Sequence, residues 1–258
     1  MTRRLLVAGA ALSFLGLAQP ALADGVYPTP APPPPVALPE FRWTGCYGGL
    51  HLGGAWASRD LTDPVQLVQD QISGAPVTTS VATVTASPIG WLVGGQIGCD
   101  YQFASHWVVG LEAAASATTL KGGSVLALPL GNTGEREGVT ARADFIPTFT
   151  GRLGYAWDTW LLYAKGGYAR IGDSYSVVGS FTGTPFNFQG LDLSSGWTVG
   201  GGLEKALWGP WSVRLEYDYF EFGQKNVAMT DSSLGLTGIL AVKQNLQTVR
   251  IGLNFHPW

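Results

Sequence analysis

The sequence predicts an all-β fold, an eight-stranded antiparallel up-and-down transmembrane β-barrel with four long external loops. Three observations carry the prediction: strict period-two alternation, the placement of the tryptophans, and connections that alternate between short and long. The alternation is clearest in WSVRLEYDYF, which puts Trp211, Val213, Leu215, Tyr217 and Tyr219 on one face of a strand. Ser212, Arg214, Glu216 and Asp218 take the other face. The pattern recurs along the chain with charges of both signs on the polar side, and an apolar exterior around a charged interior is what a barrel in lipid requires.

Strand one, Trp43 to Trp56, sets Cys46, Leu50, Leu52 and Trp56 against Gly45, Tyr47, Gly49, His51 and Gly53. Strand two, Gly90 to Phe103, sets Trp91, Val93, Ile97, Cys99, Tyr101 and Phe103 against Gly94, Gln96, Gly98, Asp100 and Gln102. After a turn at 104–106, strand three opposes Trp107, Val109, Leu111, Ala113 and Ala115 to Gly110, Glu112, Ala114 and Ser116. Strand four, Thr148 to Trp157, faces Phe149, Leu153, Tyr155 and Trp157 away from Thr148, Thr150 and Arg152. Asp158 and Thr159 turn it into strand five, Trp160 to Ile171, where Trp160, Leu162, Ala164 and Tyr168 oppose Lys165. Strand six, Gly196 to Lys205, sets Trp197, Val199 and Leu203 against Thr198 and Glu204, and residues 206–210 lead to strand seven, the stretch from Trp211. Strand eight, Gln247 to Phe255, faces Val249, Ile251, Leu253 and Phe255 away from Thr248, Arg250 and Asn254.

The remaining connections, 57–89, 118–147, 172–195 and 223–246, are long, an asymmetry expected when short turns lie in the periplasm and long loops outside. The loops rich in Gly, Ser and Thr are expected to be mobile. Trp43, Trp107, Trp157, Trp160 and Trp211 fall at one set of strand ends and Trp56, Trp91 and Trp197 at the other, which predicts two aromatic girdles. In a soluble sandwich, core tryptophans would fall mid-strand as often as at the ends.

The N-terminus reads as a secretory signal peptide over residues 1–23: Arg3 and Arg4, an apolar stretch from Leu5 to Leu17, then Ala21-Leu22-Ala23. The apolar stretch falls short of the roughly 20 residues of a membrane anchor. Residues 24–41 form a Pro-rich leader, read as solvated periplasmic chain with a cell-wall tether as the alternative, and 42–258 form one domain. Without those two arginines, the 15 basic and 18 acidic residues become 13 and 18. That balance, with no basic patch, excludes nucleic acid as a partner. Glycine, at 36 residues, is about twice its usual share of roughly 7%, which suits close strand packing and barrel bends.

Asp100, Glu112, Glu204, Glu216 and Asp218 share the inward face with Arg152, Lys165, Arg214 and Arg250. Lone charges in so narrow a barrel would be costly, so these residues are expected to pair and plug the lumen. A narrow channel for small solutes, with the same charges as its lining, is the alternative. No catalytic constellation, metal-ligand spacing or cofactor motif occurs around His51, His106 and His256, and His51 is read as a lumen hydrogen-bonding group.

Six stretches resemble the small outer-membrane immunogenic proteins of alpha-proteobacteria, within the porin-like group of opacity and OmpA-type eight-stranded barrels. They are WTGCYGGLHLGGAW at 43–56, GGQIGCDYQF at 94–103, GRLGYAWDTWLLYAKGG at 151–167, GWTVGGGLEKAL at 196–207, WSVRLEYDYF at 211–220 and VRIGLNF at 249–255. The resemblance implies a surface antigen of the bacterial cell outer membrane. Its implied partners are outer-membrane lipids and lipopolysaccharide, periplasmic chaperones and the barrel assembly machinery, and a homo-oligomer is left open. That machinery looks for a terminal aromatic residue, here Phe255 or Trp258, although Trp258 is off the alternation and follows Pro257. Positions matching Cys46 and Cys99 are usually aromatic in the family, which points to a disulfide replacing a cross-strand contact; two separate thiols facing lipid are the alternative.

Overall fold

Alternating sequence becomes ten strands in a single antiparallel sheet, in a computed structural model that describes residues 41–62, 83–127, 136–181 and 184–257. The signal peptide, the leader through residue 40 and Trp258 lie outside the described residues. The strands are β1 (Gly45–Thr62), β2 (Thr83–Ala86), β3 (Ile89–Gln102), β4 (Trp107–Thr118), β5 (Lys121–Ala127), β6 (Arg136–Trp157), β7 (Trp160–Phe181), β8 (Thr184–Ala206), β9 (Trp211–Asp231) and β10 (Leu236–Phe255).

Around the wall the order is β1, β3, β4, β6, β7, β8, β9, β10, and β10 pairs with β1 to close a ring of eight positions. β2 continues β3 against β1 in unchanged register, since Trp56 pairs with Ile89 and Arg59 with Ala86. Pro88 explains the interruption: it lacks an N–H for the ladder, and its carbonyl instead accepts from Ala57 N–H at 2.9 Å. β5 likewise prolongs β4 against β6. At one end the strands join through the turns 103–106, 158–159 and 207–210. His106 (φ 68°) and Asp158 (φ 51°) are left-handed there, a conformation that His and Asp tolerate better than most residues.

Two of the predicted long loops are instead strand. The β7–β8 ladder runs from Trp160↔Lys205 to Phe181↔Thr184 and absorbs 172–195. The β9–β10 ladder runs from Trp211↔Phe255 to Asp231↔Leu236 and absorbs 223–246. The other two are shortened, since β1 reaches Thr62 and β6 starts at Arg136, with 63–82 and 128–135 outside the described residues. The cause is an inversion of chemistry, at constant parity along β7, β8 and β10 and across a register shift beside Gly223 on β9. Along β7 the inward positions change from Lys165 to Ala169, Ile171, Tyr175 and Val177, while the outward ones change from Leu162 and Tyr168 to Ser174 and Ser176.

The inversion divides the wall into two zones. In the lower zone Leu50, Leu52, Val93, Ile97, Leu111, Phe149, Leu153, Leu215 and Ile251 are exposed, an apolar belt that water would not tolerate at this extent. Trp107 and Trp157 edge it near the short turns, and Trp56, Trp91 and Trp197 edge it on the far side. Trp160 and Trp211 are half-buried, packed under Lys205 and against Phe255 respectively. Trp43 does not join the girdle: it precedes β1, shares the inward parity of Tyr47 and is fully buried. The exposed turn residue Trp208 stands at that end as well.

Candidate functional site

Inward side chains fill the lumen in layers. Nearest the short turns, Trp43 packs with Val108, Ala156, Leu161, Tyr163 and Ala206, with Phe41 against them. The Trp43 ring meets Phe41 and His256 edge-on at 4.8 and 5.8 Å, and its backbone N–H donates to Gln102 Oε1 at 2.9 Å.

The next layer gathers all nine of the predicted lumen charges, each buried. Arg152 donates through Nε to Asp100 Oδ1 at 2.7 Å and through Nη2 to Asp100 Oδ2, and Nη1 reaches Glu204 at 3.3 Å. Its guanidinium lies between the rings of Tyr47 and Tyr163, 4.7 and 5.1 Å from their centroids. Lys165 Nζ contacts Glu216 at 2.8 Å, Glu112 at 3.3 Å and Asp218 at 3.4 Å. Arg214 bonds Glu112 and stands 3.8 Å from Glu216, and Arg250 bonds both Glu216 and Asp218. The ion pairs fall into two groups, Arg152 with Asp100 and Glu204 and the other three cations with Glu112, Glu216 and Asp218, joined into one network through Tyr47 and Tyr163, and His256 Nε2 lies 3.5 Å from Glu204.

Neutral groups complete it, and these escaped the sequence reading as members of the network. The Tyr47 hydroxyl donates to Glu112 at 2.7 Å, the Tyr163 hydroxyl to Glu216 at 2.8 Å, and Asn254 Nδ2 and Ser212 Oγ to Glu204 at 2.7 and 2.5 Å. The signal for them was parity alone. Inward glycines give these groups room: a Cβ on Gly98 would meet the Tyr47 hydroxyl, on Gly202 that of Tyr163, and on Gly200 the Asp218 carboxylate. His51 sits one level further along, its Nδ1 2.5 Å from Gln96 Oε1 and its Nε2 2.8 Å from Ser116 Oγ.

Beyond this the lumen turns apolar at Ala55, Leu92, Leu120, Ile146, Ile171, Phe220 and Leu246. Arg59 and Asp173 then pair at 2.7 Å with both side chains fully buried, a pair separated by 114 residues that sequence reasoning did not find. A last apolar layer includes Leu61, Val177, Phe186, Phe188, Met229 and Leu240. At the tip of the β9–β10 hairpin Asp231 accepts from the backbone N–H groups of Asn187, Ser233 and Leu234 and from the Ser233 hydroxyl. Burial pushes its carboxyl up, and these bonds together outweigh it, so the group lies below the ordinary carboxylate range.

On the outer surface Cys46 and Cys99 are register partners in β1 and β3, 3.9 Å apart at Cα, and joined as a disulfide. Phe255 ends β10 opposite Gly48. Among the described residues no cluster of three or more His, Cys, Asp or Glu side chains is placed to hold a metal ion.

The outer membrane protein beta-barrel domain family matches residues 9–239. The 31 kDa outer-membrane immunogenic protein of Brucella melitensis is 29% identical over 249 residues, 90% of this chain and 91% of the relative. The 25 kDa outer-membrane immunogenic protein of Brucella abortus is 25% identical over 238 residues, 90% of this chain and 88% of the relative. Among solved structures, the outer membrane protease OmpT of Escherichia coli aligns over 85% of this chain and 99% of its own, at 10% identity and a TM-score of 0.49. The lipid-type belt, the closed ring and the family match agree: this chain belongs to the outer membrane protein beta-barrel domain family.

Proposed function

We propose that the protein is a closed, non-enzymatic structural barrel of the bacterial outer membrane, exported by a cleaved signal peptide. Its short turns lie in the periplasm and its extended end is exposed outside the cell as a surface antigen, as the names of its relatives suggest. The lumen carries this reading. A network of nine charges, each of them ion-paired, lies between the Trp43 layer and two apolar layers, and such a succession of packed side chains offers no continuous hydrated path. Export would end at the barrel assembly machinery, with Phe255 or Trp258 as the recognised aromatic, and the apolar belt would face phospholipid and lipopolysaccharide.

Planar bilayer recording of the refolded protein tests the closed lumen. The expected result is insertion without channel openings; stable, long-lived openings would instead establish the narrow solute channel.

A further inference from the structure

The chain has two cysteines, and the fold puts both on the outer side of the wall. Cys46 on β1 and Cys99 on β3 share a shallow hollow of that surface with Ile97, Leu111, Phe149 and Pro257. On its other side Cys99 is the register partner of Leu111, and Ile97, Leu111 and Phe149 are exposed members of the apolar belt. Along β3, Cys99 lies four residues from Phe103 at the short turn, about 13 Å at roughly 3.3 Å per residue, or about 10 Å in depth at a tilt of about 40°. In a belt about 25 Å tall, that is well inside the hydrocarbon.

Such a site is hostile to the chemistry that makes a disulfide. The nucleophile is a thiolate, an ion that hydrocarbon disfavours, and exchange needs a second disulfide to reach its sulfur. Position in the ladder is an independent indication. β1 and β3 pair from Gly45↔Asp100 to Trp56↔Ile89, and the bridge stands one pair from the end farthest from their connection, between residues 53 apart in sequence. A slip of one residue would set the two sulfurs on opposite faces, and a slip of two would part the residues by about 7 to 8 Å. The bridge therefore closes on the native register and not on its slipped neighbours.

We infer that the Cys46–Cys99 bridge is made in the periplasm before these strands enter lipid, by a protein that carries an oxidising disulfide, and that a registered β1–β3 hairpin is thereby delivered to insertion. The inference rests on the proposed export and adds to it a partner and an order of events, in a compartment that permits disulfides. In export from the N-terminus Cys46 emerges ahead of Cys99. Its thiolate attacks the oxidant's disulfide: a bond forms between Cys46 Sγ and one oxidant sulfur, the oxidant's own S–S bond breaks, and its second sulfur leaves as a thiolate. The Cys99 thiolate then attacks Cys46 Sγ, the Cys46–Cys99 bond forms and the mixed disulfide breaks. The chain loses two electrons and two protons, and the oxidant departs as a dithiol. After insertion the hydrocarbon that bars formation of the bridge also bars its reduction.

The test exports the full chain in a Gram-negative host with or without its periplasmic disulfide oxidant. Pulse-labelled samples are quenched in acid, alkylated and sorted by heat-modifiable migration into unfolded and folded pools. Bridged chains are expected in the unfolded pool from the earliest times, with the bridged share falling about ten-fold or more in the host without the oxidant. Cys99→Ser should hold Cys46 in a mixed disulfide with the oxidant. A charged phosphine should reduce the folded barrel in bilayers at least about ten-fold more slowly than the denatured chain, since an ion does not partition into hydrocarbon. A bridge that appears first in the folded pool overturns the order of events, and an undiminished bridge in the host without the oxidant overturns the partner. Equal reduction of folded and denatured protein overturns the shielding by lipid. Absence of the chain from the outer-membrane fraction overturns the export reading itself, a result that none of the other arms produces.

Discussion

Arg152→Ala is expected to destabilise the barrel more than any other single change in the charged layer, because the network is unevenly redundant. Among the described residues the only ion pair Asp100 makes is with Arg152, and both side chains are buried. Removing Arg152 strands that carboxylate, at a cost of about 3 to 5 kcal/mol for a broken buried pair. It also removes the cation held between Tyr47 and Tyr163, two contacts worth about 0.5 to 2 kcal/mol each. The total is about 4 to 9 kcal/mol, a shift of roughly 2 to 4.5 M in a urea midpoint at a slope of about 2 kcal/mol per M. Glu216→Ala behaves differently. Lys165 keeps Glu112 and Asp218, Arg250 keeps Asp218 and Arg214 keeps Glu112, so the loss should be about 1 to 3 kcal/mol. Tryptophan fluorescence during urea unfolding of micelle-refolded protein measures both. Adding Asp100→Asn to Arg152→Ala should recover stability, since a neutral amide no longer needs the cation. A larger loss in Glu216→Ala than in Arg152→Ala, or no recovery in the double variant, would refute this account of the layer.

Paired substitution of Cys46 and Cys99 by Ser should lower stability by up to about 4 kcal/mol, the chain-entropy value for a closed loop of this length. Denatured, unreduced wild-type protein should take up no thiol label; stoichiometric labelling would show the bridge absent. Asp231 has a folded-state pKa below its unfolded value of about 3.9, so its stabilising effect is complete above that value and is lost as pH falls through the depressed one. The Ser233 and Leu234 amide resonances should therefore hold steady from neutrality to about pH 4, and a transition near pH 6 would contradict the bonds drawn to that carboxylate.

Most of the lower wall was legible because lipid forces a simple rule on it. Trp211 to Phe220 alternates without a break since one side meets hydrocarbon and the other meets ions, and the nine lumen charges followed from parity alone. Trp43 misled because position along a strand and parity pointed to different places, and parity, which it shares with Tyr47, decides. The upper wall was hidden by the exchange of roles between faces: Phe186 and Phe188 keep the inward phase of β8, Val227 and Met229 face inward only after the β9–β10 register shift, and all four look like apolar residues in loops. The Arg59–Asp173 pair was out of reach because only the register of the closed ring brings residues 114 positions apart together.

The extension of the ladders to Phe181↔Thr184 and Asp231↔Leu236 changes what a macromolecule meeting that end would read. Neighbouring surface side chains such as Ser176, Gln189 and Thr230 come from three strands, so an epitope there is assembled by the fold and vanishes from linear peptides. Drift in sequence is channelled the same way. Every second residue of the upper strands is free to vary without touching the core, while its neighbours, such as Val177 and Phe188, are held by packing. The barrel's upper wall can thus change the face it presents one strand position at a time and leave its architecture untouched.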